Sequence, residues 1–237
     1  MRAVILAGGK GTRLRPYTTL IPKPLVPLGG KYSILEIILM QLARSGFTRI
    51  TLAVNHLSHL IMAYFGDGAR FGLQIDYSIE EGELSTIGPL TLINDLPENF
   101  LVMNGDILCN LDYRAFFDAH VISGSRISVS SYRRQVKVDF GVLRYSSEGR
   151  LNEFSEKPEF TFDVSMGIYC INRSVIEALP RGKHYGFDNL MVDELAGKRN
   201  VDIRPFSGYW LDIGRPDDYE YADENFTELA QKLGISG

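Results

Sequence analysis

The chain has 237 residues, of which 45% are hydrophobic and 23% are charged, and its formal net charge is −4. These values are typical of a soluble globular protein long enough for one α/β domain. The weak negative charge, without a run of Lys or Arg, argues against nucleic acid and membrane surfaces as partners. No apolar run approaches transmembrane length, and no signal region precedes the first predicted strand. Cys109 and Cys170 have neither metal-binding nor disulfide-framework spacing, so we expect buried thiols in a cytoplasmic protein.

The first predicted strand, residues 3–7, is an apolar run followed by the glycine-rich turn 8–11. The cations Lys10, Arg13 and Lys23 lie on this turn or shortly after it. Backbone N–H groups exposed at such a turn, together with cations, form an anion site, and phosphate is the commonest anion to fit one. The glycine spacing matches neither the P-loop nor the dinucleotide fingerprint. The turn therefore predicts a phosphate-binding loop of another type, with a plain structural turn as the alternative.

Strands and helices are then expected to alternate. Ser33 and Glu36 form a capping box that predicts the start of a helix ending near Gly46. Further strands are predicted at 49–54, 74–78 and 100–103, a helix at 59–65, and a possible helix at 86–96. This alternation predicts a mostly parallel, doubly wound (Rossmann-like) sheet with helices on both faces. Ligands of such sheets bind beyond the carboxyl ends of the strands, where the glycine turn would lie.

The pattern changes after about residue 126. A half-exposed strand is predicted at 127–132, a hairpin from 140–145 and 150–156, further strands at 164–171 and 201–206, and a final helix at 217–233 after Pro216. No linker rich in Pro, Gly or Ser divides the chain. We therefore predict a single domain over 1–237, with a nucleotide-binding half at about 1–125 and a more antiparallel, substrate-facing half at about 126–237.

Two aspartates follow apolar segments in the two halves. Asp106 ends the string Asn104-Gly105-Asp106 after the strand 100–103, and Asp212 lies in the segment 210–216. An aspartate at the carboxyl edge of a strand is well placed to hold a hard cation. The alternatives are a turn for the first and a cap of the final helix for the second.

The string Leu-Ala-Gly-Gly-x-Gly-Thr-Arg-Leu at 6–14, followed by Pro22-Lys23-Pro24, resembles the signature of the sugar-1-phosphate nucleotidyltransferases. Those enzymes join a nucleoside triphosphate to a sugar 1-phosphate and release pyrophosphate. Asp106 and Asp212 match the two metal-binding aspartates of that family, in family order, and Glu156-Lys157-Pro158 matches its sugar-phosphate motif. Longer members carry a C-terminal β-helix of hexapeptide repeats, which has no counterpart here, so the chain resembles the short, catalytic-domain-only form.

The resemblance implies roles for individual residues. The implied nucleotide-binding residues are Leu6, Ala7, Gly8, Gly9, Gly11, Thr12, Arg13, Lys23, Glu80, Gly88 and Asp106. The implied sugar phosphate-binding residues are Gly141, Glu156, Lys157 and Ser165. Arg13, Lys23 and Asp106 would be catalytic, with Mg²⁺ as the cofactor held by Asp106 and Asp212. A sugar phosphate is already ionised at neutral pH, so no general base is expected.

Two departures from the family pattern leave the substrates open. Residues 84–88 read Leu-Ser-Thr-Ile-Gly where many members read Leu-Gly-Thr-Ala-Gly, and Ser165-Met166 stand where an Asn is common. The best match is to short forms that use GTP with mannose- or heptose-type 1-phosphates. Uridylyl and thymidylyl transfer remain alternatives, as does a non-catalytic regulatory subunit. A glycosyltransferase is disfavoured because Asn104-Gly105-Asp106 is not Asp-x-Asp. A homo-oligomer is possible, but no segment identifies an interface.

Overall fold

The computed structural model describes residues 1–235, so positions 236 and 237, the end of the predicted domain, lie outside the described residues. The strands are β1 (Arg2–Leu6), β2 (Pro27–Leu28), β3 (Tyr32–Ser33), β4 (Arg49–Val54), β5 (Gln74–Ile79), β6 (Asn99–Asn104), β7 (Ile107–Cys109), β8 (Ile127–Lys137), β9 (Val142–Tyr145), β10 (Leu151–Ser155), β11 (Glu159–Asn172), β12 (Val201–Phe206) and β13 (Trp210–Asp212). The α-helices are α1 (Ile34–Arg44), α2 (Ser58–Phe65), α3 (Tyr113–Ser123), α4 (Arg173–Glu177), α5 (Phe187–Ala196), α6 (Pro216–Glu224) and α7 (Phe226–Lys232).

A seven-stranded sheet in the order β12-β8-β11-β6-β1-β4-β5 forms the centre of the fold. Strands β6, β1, β4 and β5 are parallel to one another, β11 is antiparallel to both of its neighbours, and β12 is parallel to β8. The predicted α/β fold, mostly parallel with a more antiparallel second part, is therefore confirmed.

Both faces of the sheet are covered, which explains the continuous apolar sequence of β1. Ala3 and Ile5 belong to one buried cluster and Val4 to a second, and all three are fully buried. Because side chains alternate across a strand, the central residues of a strand covered on both faces are apolar. Arg2, at the start of β1, is also buried and is paired with Asp95.

Helix α1 begins as its capping box predicts. The Ser33 hydroxyl accepts a hydrogen bond from the Glu36 N–H at 3.2 Å, and the Glu36 carboxylate accepts one from the Ser33 N–H at 2.7 Å. Gly46 follows the helix in the left-handed conformation, with φ of 81°. These local interactions fix the start and end of the helix independently of its packing.

Two helix predictions are wrong. Residues 86–96 contain only a short 3-10 helix, Gly88–Leu92. It ends at Ile93, which has an extended backbone with φ of −87° and ψ of 111° and donates its N–H three residues back, to the Leu90 carbonyl. The predicted helix 217–233 is divided at Asn225 into α6 and α7. Helices α3 and α5, and the short strands β7 and β13, are not among the sequence predictions.

Strands β8 and β11 continue beyond the sheet as a two-stranded arm. Residues 133–137 of β8 are exposed and pair with 159–163 of β11. The predicted hairpin is present as the antiparallel pair β9–β10. Within residues 1–235, no helix has both the length and the apolar character needed to cross a bilayer. Cys109 and Cys170 are buried and unpaired, as expected.

Candidate functional site

The glycine turn leaves the carboxyl end of β1 in a fixed conformation. The Ala7 N–H donates to the Ala53 carbonyl at 2.8 Å, which prolongs the β1–β4 ladder by one residue. Gly11 takes a left-handed conformation, with φ of 61°, and its carbonyl accepts a hydrogen bond from the Thr18 hydroxyl at 2.7 Å. A side chain at this φ would be strained.

This turn borders a cleft of about 610 Å³, here called the glycine cleft. Its lining includes the turn 8–11, Thr12, Glu80, the segment 82–86, Asn104 and Asp106. Leu6 also lines this cleft, whereas Ala7 and Gly88 are buried and do not line it. A Cβ at Gly88 would lie 2.4 Å from the Lys183 carbonyl oxygen, so the absence of a side chain at Gly88 lets these two backbone segments pack closely.

Glu80 is a buried carboxyl group facing the turn. It is 9% exposed, and burial raises its pKa to about 7, opposed by hydrogen bonds from the Leu84 backbone and the Asn55 side chain. A Cβ at Gly8 would lie 2.9 Å from Glu80 Oε1. The absence of a side chain at Gly8 therefore lets the carboxyl group approach the turn.

The two predicted metal-binding aspartates are brought together by two short strands that sequence reasoning did not find. Strands β7 and β13 pair antiparallel, and the Ile213 N–H donates to the Asp106 carbonyl at 3.1 Å. Burial and the neighbouring Asp106 charge raise the pKa of Asp212, while Lys23 and Arg13 lower it. The two carboxylates therefore interact at the junction of the two halves of the chain.

Asp106 has one paired and one free carboxylate oxygen. Its Oδ2 accepts from Lys23 Nζ at 2.5 Å, and its buried Oδ1 has no hydrogen-bond partner among residues 1–235. In the same part of the chain no group of three or more His, Cys, Asp or Glu side chains could hold a metal. Two carboxylates nevertheless suffice for Mg²⁺, which is usually held by one or two carboxylates plus substrate phosphates and water. The residues present fit such an ion.

A second cleft, of about 370 Å³, lies on the Asp212 side of this pair and is here called the arginine cleft. Arg13 lines this cleft and not the glycine cleft, together with Asp212, Trp210, Arg134 and Arg215. The last two arginines are not among the predicted site residues. Arg215 could have been noticed because it follows the Asp212 motif, whereas Arg134 lies beyond the predicted end of its strand.

The four predicted sugar phosphate-binding residues form two groups. A Cβ at Gly141 would lie 3.2 Å from Glu156 Oε2, so these two residues are close, and Lys157 follows with an exposed side chain and φ of 44°. Ser165 lies farther along β11, and the extended backbone between Glu159 and Ser165 spans about 20 Å.

Ser165 is instead linked to the glycine cleft through Gly167. The Gly167 N–H donates to the Ser165 hydroxyl at 3.3 Å, in a segment where the β8–β11 register shifts. Gly167 has φ of 74°, and a Cβ there would lie 2.7 Å from Asn104 Nδ2. This glycine therefore allows β11 to contact Asn104, which lines the glycine cleft.

A larger cleft, of about 800 Å³, contains none of the predicted site residues. Its cations Arg2 and Arg49 already pair with Asp76 and Asp95 at 2.5 to 2.9 Å. The predicted nucleotide- and metal-binding residues therefore lie elsewhere, at or beside the two smaller clefts, whereas Gly141, Glu156 and Lys157 line neither of these clefts.

The chain is similar to known proteins at three levels: a family, individual relatives and a solved structure. The model of the family described as "Nucleotidyl transferase" matches residues 2–228. The chain is 33% identical to a UTP--glucose-1-phosphate uridylyltransferase of Synechocystis sp., in an alignment that covers 92% of this chain and 61% of the relative. It is 32% identical to a mannose-1-phosphate guanylyltransferase of Mycobacterium tuberculosis, in an alignment that covers 92% of this chain and 62% of the relative. It thus spans about 61–62% of the length of these curated relatives.

A solved structure shares the fold over nearly all of both chains. HddC from Yersinia pseudotuberculosis, in complex with GMP-PN, is 28% identical, with a TM-score of 0.70 over 95% of this chain and 99% of that one. The glycine turn, the two aspartates and the mostly parallel sheet thus occur in a chain that the family model covers almost completely. The chain belongs to the nucleotidyl transferase family.

Proposed function

We propose that the chain transfers a nucleotidyl group from a nucleoside triphosphate to a sugar 1-phosphate, giving a nucleotide-diphosphate sugar and pyrophosphate. One observation carries this proposal: the pairing of β7 with β13 brings Asp106 and Asp212 close together, with Asp106 lining a cleft built on a glycine turn and Asp212 lining a cleft that also contains arginines. Such a site suits a reaction between two phosphorylated substrates, because it combines backbone donors, cations and a metal-binding carboxylate pair.

The chemistry requires positioning more than proton transfer. An oxygen of the sugar phosphate attacks the α-phosphorus, a new P–O bond forms, and the bond to the β-phosphate breaks with departure of pyrophosphate. The attacking oxygen carries no proton at neutral pH, so the site needs no general base. Its work is to align two anions and offset their charge.

Each predicted catalytic residue has a role in this step. N–H groups of the glycine turn and Lys23 bind the triphosphate, and Arg13 stabilises the departing pyrophosphate. The Lys23 ammonium donates to the Asp106 carboxylate at 2.5 Å, so it lies beside the carboxylate that would hold the metal. Asp106 and Asp212 would hold Mg²⁺, and the ion would supply positive charge that offsets the charge of the phosphates in the transition state.

The buried Glu80 favours guanine as the base. Guanine presents two adjacent N–H donors, at N1 and N2, and a carboxylate can accept from both. Uracil and thymine present one N–H between two carbonyl oxygens, which a carboxylate repels. HddC, which was crystallised with GMP-PN, supports this choice. The relative named as a uridylyltransferase keeps uridylyl transfer as the alternative.

The sugar side remains a proposal based on Gly141, Glu156, Lys157 and Ser165. Lys157 would pair with a phosphate or hydroxyl of the sugar 1-phosphate, and Glu156 would accept from a sugar hydroxyl. A mannose- or heptose-type 1-phosphate is our choice, supported by the relative named as a mannose-1-phosphate guanylyltransferase. The division into a nucleotide-binding half (about 1–125) and a sugar-phosphate half (about 126–237), and a cytoplasmic location, belong to the same proposal.

The direct test is pyrophosphate release with Mg²⁺, measured for each common nucleoside triphosphate against a panel of hexose, N-acetylhexosamine and heptose 1-phosphates. We expect release that requires one base and one sugar phosphate together, with GTP preferred. Release with UTP alone would overturn the assignment of the base. No release from any pair, with nucleotide binding retained, would overturn the transferase and favour a regulatory subunit.

A further inference from the structure

Most arginines of the chain already have an acceptor. Among residues 1–235, the arginines that make neither an ion pair nor a side-chain hydrogen bond are Arg13, Arg15, Arg134 and Arg215. Three of these four line the arginine cleft. A guanidinium group offers five N–H donors and no acceptor, so three of them around one cleft form a site for an anion rich in oxygen.

The backbone holds Arg134 on the side of the cleft. Arg134 lies two residues after Tyr132 on β8, and alternate residues of a strand point to the same face. The Tyr132 ring packs against Trp210, with centroids 5.2 Å apart, close to Asp212 in sequence. The intervening Arg133 points to the opposite face and pairs with Asp163 at 3.1 Å. The alternation of the strand thus places Arg133, which is paired, and Arg134, which is not, on opposite faces.

Arg215 is held from the other side of the cleft. It is the N-cap residue of α6, and its backbone N–H donates to the Asp218 carboxylate at 2.9 Å. This contact fixes the backbone and occupies an oxygen of Asp218, while the guanidinium remains without a partner within residues 1–235. The other carboxylate of the cleft, Asp212, interacts with the charges of Asp106, Lys23 and Arg13.

We infer that Arg134 and Arg215, together with Arg13, bind the β- and γ-phosphates of the nucleoside triphosphate and then the leaving pyrophosphate. The inference rests on the proposed function. Along the chain, Gly8 to Thr12 line the glycine cleft and the next residue, Arg13, lines the arginine cleft. A triphosphate whose base lies near Glu80 can therefore pass the aspartate pair and continue into the arginine cleft.

The phosphate of the sugar 1-phosphate is the other anion that this site could hold, and the geometry disfavours it. In an in-line displacement the attacking oxygen and the leaving group lie on opposite sides of the α-phosphorus. Ser165, a predicted sugar-phosphate residue, is linked through Gly167 to Asn104 in the glycine cleft. The incoming phosphate then approaches from the glycine cleft, and the pyrophosphate departs toward the arginines.

The test compares Arg134→Gln, Arg215→Gln and the double variant with the parent protein. The matched control is Arg133→Gln, the neighbouring arginine on the opposite face. Calorimetry measures the binding of inorganic pyrophosphate, GTP and GMP, and kinetics give KM for GTP and for mannose 1-phosphate. We expect each single change to weaken pyrophosphate and GTP about tenfold, as the loss of a charge-assisted hydrogen-bonded pair would. GMP affinity and KM for mannose 1-phosphate should stay within about twofold of the parent.

Several outcomes would overturn the inference. One is a double variant that binds pyrophosphate as the parent does, and another is an increase in KM for mannose 1-phosphate alone. If Arg133→Gln lost as much affinity for pyrophosphate as the other two single variants, the effect would be a non-specific result of removing a positive charge. Failure of the proposed function is distinguishable, because pyrophosphate binding is measured without turnover. A parent that binds pyrophosphate through these arginines but releases none from any substrate pair would overturn only the reaction.

Discussion

The glycine cleft and the arm formed by β8 and β11 differ in how firmly they hold their predicted residues. At the glycine cleft, Lys23 and Glu80 are each 9% exposed, and Lys23 is paired with Asp106. On the arm and its hairpin, Glu156 and Lys157 are exposed, and apolar residues such as Phe140 are exposed as well, at 77%.

This difference in burial corresponds to a difference in proposed role, between phosphate chemistry and sugar binding. Asp106 follows β6, whose central residues are all buried, so its position is as rigid as the core. The residues proposed for the sugar lie on an element with few buried contacts, and such elements open at lower free energy. Changes at Asp106 and Asp212 should therefore affect every substrate, and changes at Glu156 or Lys157 should affect mainly the sugar. Arg134, although it lies on the arm, is assigned to the pyrophosphate.

The largest effect is expected from removing a metal-binding carboxylate. Asp212→Ala should reduce Mg²⁺-dependent pyrophosphate release by about a thousandfold with any sugar, because the metal loses one of its two protein ligands. Within residues 1–235 Asp212 makes no ion pair, so the free energy of unfolding should change by no more than about 1 kcal/mol. Asp217→Ala, an exposed aspartate in the first turn of α6, is the control. Near-parental activity in Asp212→Ala would contradict the metal assignment.

Asp106→Ala should abolish turnover as well, but this change also leaves the buried Lys23 without its partner. Asp106→Asn keeps the volume and one oxygen, and is the variant to use if Asp106→Ala does not fold.

The next effect concerns the contact between β11 and Asn104. Gly167→Ala would place a Cβ 2.5 Å from Ile107 Cδ1 in a left-handed conformation. We expect a loss of about 3 kcal/mol from steric overlap and strain together. Gly149→Ala, at φ of 78° with open space around it, should lose only about 1 kcal/mol from strain. Urea denaturation of both variants measures the difference, and equal losses would show that the contact with Asn104 is not tight.

A smaller effect is expected at the base. Glu80→Gln replaces one acceptor oxygen with a donor that opposes the guanine N–H groups, and should lower kcat/KM for GTP by about thirtyfold, or about 2 kcal/mol. The value for UTP should fall less. Glu81→Gln, which changes an exposed neighbour, is the control. If the kcat/KM values for GTP and UTP fall equally, Glu80 does not discriminate between the bases.

The same variant tests the titration of Glu80. Its pKa is about 7 in the folded protein against an ordinary value of 4.5, so the folded state holds the proton more tightly than the unfolded state. The free energy of unfolding due to this group therefore decreases as pH rises through that window. Glu80→Gln carries no such charge, and its stability relative to the parent should be greater at pH 8 than at pH 5. Urea denaturation at both pH values measures this, and a difference independent of pH would contradict the raised pKa.

The smallest effect is expected on the arm. Lys157→Gln should raise KM for the sugar 1-phosphate about tenfold and leave KM for the nucleotide unchanged. The free energy of unfolding should change by less than about 0.5 kcal/mol, because the side chain is exposed. Lys137→Gln, an exposed lysine at the end of β8, is the control. A change in nucleotide KM instead would move Lys157 to the other substrate.

The core strands were predictable because their signals are local. Strands β1, β4 and β6 are short apolar runs followed by turn residues, and α1 has both halves of its capping box. The pairing of β7 with β13 was not predictable, since strands of three residues carry no periodicity and their partners are about a hundred positions apart. Arg134 was missed for a related reason: residues 133–137 are polar and exposed, so nothing apolar marks the continuation of β8.

The ion pair between Lys23 and Asp106 has a consequence for how the protein exists between reactions. Many small metal sites are unfolded until the metal arrives, because their anionic ligands have no other partner. Here the chain supplies its own counter-ion, an ammonium group on a flexible stem, so the site can assemble before any metal is bound. If a divalent cation took the place beside Asp106, the Lys23 ammonium would be free to pair with a phosphate oxygen. The carboxylate would thus have a positive partner both with and without the metal.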